Sequence, residues 1–115
     1  MLREAKIIVP AYFTAPEYED ETSSVNVRNE VTAQIVKRFG GCTTSEASGA
    51  WKDKDGSIVS EPVFVLTFAI EDALHGSGAW NLACLVGTDC NQVAVYTVGL
   101  LGPGIVYILE RGINY

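Results

Sequence analysis

From Ile58 to Ile70 the chain alternates as a strand does, yet both alternating sets are apolar: Phe64, Leu66, Phe68 and Ile70 point one way, Val63, Val65, Thr67 and Ala69 the other. Successive strand side chains project to opposite faces, so this strand needs cover on both sides. Pro62, which has no amide to give a ladder, predicts a bulge or an unpaired edge near its beginning.

The elements around it follow from composition and period. Lys6 to Phe13, rich in Ile, Val, Tyr and Phe and followed by Thr14-Ala15-Pro16, predicts a first strand. Glu17 to Ser24 is polar, acidic and without period, which predicts a loop. Val27, Val31, Ile35 and Phe39 recur every four residues and predict a helix with one face made to lie on a sheet. Asn26 or Ser24 caps its start, Lys37 and Arg38 suit its negative end, and Gly40-Gly41 stop it. Cys42 to Trp51 reads as a second strand, joined to the long strand by the Asp55-Gly56 turn. A short helix is expected from about Gly78 to Gly87, where glycines weaken but do not forbid it. Val93 to Gly99 and Ile105 to Glu110 form a terminal hairpin around Leu100 to Gly104.

This order is α+β, a ferredoxin-like βαββαβ arrangement with an additional C-terminal strand, its antiparallel sheet carrying helices on one face. Val63, Val65, Ala94 or Val93, and Ile105 or Val106 then leave the second face apolar, and a large apolar patch marks an interaction surface, so a homodimer is expected. With 115 residues, 48% of them hydrophobic and 19% charged, the chain has the size and balance of a single globular domain.

Charge narrows the partners. Fourteen acidic against eight basic residues give −6, and Arg3, Lys6, Arg28, Lys37, Arg38, Lys52, Lys54 and Arg111 are scattered along the chain. Phosphate neutralisation needs clustered cations, so neither nucleic acid nor an anionic membrane is an expected partner. Met1 to Pro10 lacks the apolar run of a signal peptide, and Val63 to Ile70 is far short of a membrane span, so the expected location is cytoplasmic.

Chemistry-bearing residues are sparse. Cys42, Cys84 and Cys90 form no Cys-x-x-Cys pair, and His75 is the single histidine, so neither a metal nor another cofactor is expected. If Gly56 took the sixth position of a calcium loop, Trp51 and Pro62 would occupy the first and twelfth, and neither can ligate. His75-Gly76-Ser77-Gly78 is not Gly-x-Ser-x-Gly and reads as punctuation before a helix. Glu61 stands out, because a carboxylate in an apolar strand can act as a base when enclosed and is a plain exposed residue otherwise. Trp51, Tyr12 and Tyr96 are the aromatic candidates to line a ligand site with it; Trp80 and Tyr107 are further aromatics, and strand aromatics more often pack against one another.

Phe39-Gly40-Gly41-Cys42-Thr43, Gly49-Ala50-Trp51, Asp55-Gly56 and Glu61, with a weaker continuation at Gln92-Val93-Ala94-Val95, resemble a pattern found in small bacterial and phage proteins classed as domains of unknown function. The resemblance spans about half the chain and implies a ferredoxin-like sheet that pairs into dimers, in a family that also occurs on phages and mobile elements. The expected function is a non-enzymatic binding module, with a small molecule or a protein as partner and a pocket at the sheet edge or subunit interface near Trp51 and Glu61. Two alternatives stand beside it: a cofactor-independent small enzyme of the dimeric α+β-barrel type using Glu61 or His75, and a phage interaction protein with no small-molecule site.

Overall fold

The computed structural model describes residues 2–13, 22–52, 55–71, 78–90 and 94–110; the acidic stretch 17–21, His75, Gln92 and Val93 lie outside them. The elements are β1 (Leu2–Pro10), β2 (Tyr12–Phe13), β3 (Thr22–Ser23), α1 (Val25–Phe39), β4 (Thr43–Lys52), β5 (Ile58–Glu71), α2 (Ala79–Asp89), β6 (Ala94–Val98) and β7 (Val106–Glu110). Five strands form one antiparallel sheet in the order β4-β5-β1-β6-β7, and β2 pairs with β3. The fold is thus α+β. Among the described residues, no helix is long and apolar enough to cross a membrane.

Register explains why β5 is apolar on both sets. It pairs with β4 through Thr43↔Thr67 to Lys52↔Ile58, and with β1 through Leu2↔Glu71 to Pro10↔Val63. Phe64, Leu66, Phe68 and Ile70, with Ala5, Ile7 and Val9 of β1 and Val95 of β6, join Val31 and Ile35 of α1 and Leu82, Ala83 and Val86 of α2 in one buried core. Both helices therefore draw on the same face of the sheet, called here the helix face.

The bulge expected at Pro62 does not occur: the β4–β5 register runs through Ser48↔Pro62 without interruption. The Ala11 amide donates to the Pro62 carbonyl at 3.0 Å. A strand residue's N–H and C=O point the same way, so the missing Pro62 amide faces the side where the β1 ladder has already ended, and no bond to β4 is lost.

The first strand begins at Leu2, four residues before the expected start. Arg3, buried within it, donates from Nε to the Gly99 carbonyl at 2.7 Å, from Nη1 to the Glu71 carbonyl at 3.0 Å and from Nη2 to the Leu100 carbonyl at 3.4 Å. A buried guanidinium persists because these carbonyls satisfy it.

Helix α1 ends as expected, with Gly40 at φ 95° and its amide bonded to the Val36 carbonyl at 2.9 Å. Its start differs. Ser24 holds the N-cap position, but its hydroxyl donates to the Pro10 carbonyl instead of accepting from the helix, and Asn26 lies inside the helix. Ser24 is fully buried, so its hydroxyl ties α1 to the end of β1. Ser24→Ala removes this bond and is expected to cost about 1–2 kcal/mol, read as a drop of roughly 4–8 °C in Tm. An unchanged Tm would show that the tie carries no stability.

At the β4–β5 turn the Asp55 carboxylate accepts from the Ser57 amide at 2.9 Å and the Ser57 hydroxyl at 2.6 Å. These bonds hold its pKa below the usual carboxylate range.

Candidate functional site

The second face of the sheet carries the other alternating set. Ile8, Val65 and Val98 are half-buried there, Val63 is buried, and Val106 and Ile108 are exposed, while Glu4 and Lys6 form an ion pair at 3.6 Å. Register puts Val63 opposite Ala47, Val65 opposite Ser45 and Val98 opposite Val106 on this open face.

Glu61 faces Gly49, and Trp51 faces Val59, so Trp51 and Glu61 are diagonal neighbours on the open face. Diagonal pairs lie about 7–8 Å apart at Cα, within reach of an aromatic ring. Glu61 is half-buried and Trp51 is 44% exposed. Gly49 leaves bare backbone beside the carboxylate; a Cβ there would press on Val63 Cγ1 at 3.3 Å. The pair thus frames a patch with one negative charge, one large ring and an uncovered strand floor.

The other two aromatics stand differently. Tyr12 is 48% exposed in β2, directly after Ala11, whose amide holds Pro62, so its strand passes close to Glu61. Tyr96 is on the open face but on β6, two strands from β5. Val98, its neighbour on that face, is level with Lys6 and hence with Thr67. Even Val65 is six residues along β5 from Val59, which is about 20 Å at strand rise. Tyr96 therefore does not join the Trp51–Glu61 patch. Trp80 and Tyr107 pack against each other, ring centroids 5.1 Å apart.

Two cavities lie away from this patch. One, about 470 Å³, sits where α1 ends against β1 and β5, lined by Leu2, Phe39, Cys42 and Phe68 among others. The other, about 350 Å³, opens on the helix face between α1 and β4, lined by Arg28, Asn29, Thr32, Thr44, Glu46 and Phe64. The sequence alone does not bring these residues together. Arg28 one helical turn before Thr32, with Thr44 and Glu46 two apart on the next strand, was the available signal.

Two thiols, Cys42 and Cys90, are harder to ionise than a free cysteine. Burial and the neighbouring Asp89 push the Cys90 thiol up to about 12, and burial raises Cys42 against hydrogen bonds from Thr44, Thr32 and Thr67. At pH 8 the Cys90 thiolate is then about one part in 10⁴, so iodoacetamide is expected to leave it unlabelled until the protein unfolds. Since the folded pKa lies above the ordinary 9.0, the Cys90 contribution to stability is complete below about pH 9 and is lost as pH climbs toward 12. Rapid labelling of native protein at pH 8, read by mass spectrometry, would contradict this. Among the described residues, no group of three His, Cys, Asp or Glu side chains converges as a metal site requires.

No protein-family model matches the sequence, and no curated protein does. Solved structures do share the fold. A phage SAM lyase in complex with S-methyl-5'-thioadenosine superposes with a TM-score of 0.64 at 18% identity, covering 94% of this chain and 88% of that one. A phage SAM lyase in the apo state gives a TM-score of 0.63 at 13% identity over the same shares. At these identities the likeness is one of fold.

Proposed function

We propose that this chain is a small-molecule-binding protein of phage type that holds an adenosyl sulfonium or thioether on its open sheet face and cleaves S-adenosylmethionine as a lyase. The observation that carries this reading is the near end-to-end likeness in fold to a lyase seen with S-methyl-5'-thioadenosine. The strand order β4-β5-β1-β6, antiparallel throughout and with α1 and α2 on one face, supports a ferredoxin-like arrangement to which β7 is the added strand.

The patch suits such a ligand chemically. A carboxylate is the usual partner of ribose hydroxyls, and Glu61 supplies one. Trp51 offers a ring to stack on adenine or to face the sulfonium, whose positive charge an aromatic face attracts. In the cleavage an oxygen of the substrate's own carboxylate bonds to the γ-carbon and closes a lactone, while the bond between that carbon and sulfur breaks, its electron pair goes to sulfur, and the thioether leaves uncharged. Loss of charge proceeds better in a dry site than in water. The patch is open in a single chain, so a second copy packed on the apolar open face completes it, and the protein works as a homodimer.

Incubation with S-adenosylmethionine and chromatography for S-methyl-5'-thioadenosine tests the lyase reading, with release of the thioether as the expected result. No release, together with no rise in Tm on adding either nucleoside, ends it and leaves the interaction-protein alternative. Light scattering is expected to give twice the chain mass; a species of 12.4 kDa at micromolar concentration removes the homodimer.

A further inference from the structure

The cavity between α1 and β4 stands on the opposite side of the sheet from Trp51 and Glu61, and its charges do not cancel one another. Its floor is the buried ring of Phe64. The Arg28 guanidinium lies over that ring, Cζ 4.5 Å from the centroid. Glu46 is the register partner of Phe64, so its Cβ sits about 5 Å away across the strands. A cation and an anion therefore flank one aromatic surface. Arg28 spends Nε and Nη2 on the Asn29 side-chain oxygen, at 3.3 and 3.1 Å, and Nη1 has no bond to a described residue. Glu46 likewise forms no ion pair with a described residue. Thr32 on α1 and Thr44 on β4 stand on the two walls, and both lower the pKa of the same Cys42 thiol against its burial.

We infer that this groove binds the zwitterionic head of an α-amino acid, Arg28 taking the carboxylate and Glu46 the ammonium. A simple anion would be repelled by Glu46 and a simple cation by Arg28, whereas a ligand carrying both charged groups on one carbon is attracted at each of them. The volume of about 350 Å³ suits a molecule of that size. The inference is independent of the lyase reading, because it concerns the other face of the sheet.

Amide NMR of the full chain with L-norleucine as probe tests it. Shifts are expected at Thr32, Thr44 and Phe64, with affinity reduced at least tenfold for pentylamine, which lacks the carboxylate, and for hexanoate, which lacks the ammonium. Arg28→Gln and Glu46→Gln should each weaken norleucine, and Glu46→Gln should improve hexanoate, an exchange that a purely structural role for Glu46 would not produce. Absence of shifts at millimolar norleucine, or equal binding of all three probes, overturns the assignment. So does S-methyl-5'-thioadenosine moving these same amides, since that ligand carries no amino-acid head.

Discussion

Gly99→Ala is expected to destabilise the protein by about 2–5 kcal/mol. Gly99 sits at φ 78°, and a Cβ built on it would stand 2.0 Å from the Glu4 carbonyl oxygen and 3.0 Å from the Ala5 Cα. These are backbone atoms of the central strand and cannot swing aside. Left-handed strain contributes about 1–2 kcal/mol, and the forced backbone shift about 1–3 more, which together correspond to a Tm loss of roughly 8–20 °C. The carbonyl of the same residue receives the Arg3 Nε, so displacement also loosens a buried cation. Gly40→Ala is the control: φ is 95°, nothing lies within 4 Å of the added carbon, and only the conformational part is lost. Equal Tm values for the two variants would refute the steric argument.

Glu61→Gln is expected to weaken S-methyl-5'-thioadenosine binding, and kcat/KM toward S-adenosylmethionine, by roughly 10- to 100-fold. The substitution keeps shape and removes charge, and a hydrogen bond to a charged group is worth about 1.5–3 kcal/mol. Trp51→Ala should act in the same direction through the lost ring, while Tyr96→Phe should leave both quantities unchanged because Tyr96 stands apart on β6. Titration by calorimetry measures the first quantity and thioether release the second. Undiminished binding by Glu61→Gln at unaltered Tm would move the ligand off this patch.

The residues made some of this visible and hid the rest for identifiable reasons. The four-residue stripe of α1 and its Gly40 stop are local signals, and both hold in the structure. So is the Asp55-Gly56 turn, which sets the β4–β5 register and with it the Trp51–Glu61 adjacency. The true start of β1 was hidden because Arg3, a charged residue at a buried position, is satisfied by carbonyls at Glu71, Gly99 and Leu100, far away in sequence. The Ser24 hydroxyl misled in the same way, turning to Pro10 rather than to its own helix. Tyr96 looked equivalent to Trp51 by composition, and only the strand order separates them. The Arg28–Glu46 groove needed the packing of α1 on β5, which no spacing along the chain encodes.

β1 precedes the other sheet strands in the chain, yet its two neighbours, β5 and β6, begin at Ile58 and Ala94. During synthesis its Ile7-Ile8-Val9 run must wait, edges bare, until the polypeptide has grown long enough to flank it on both sides. Closure across such separations is slow, on the order of milliseconds to seconds, so nascent chains should be most prone to clumping before β6 leaves the ribosome.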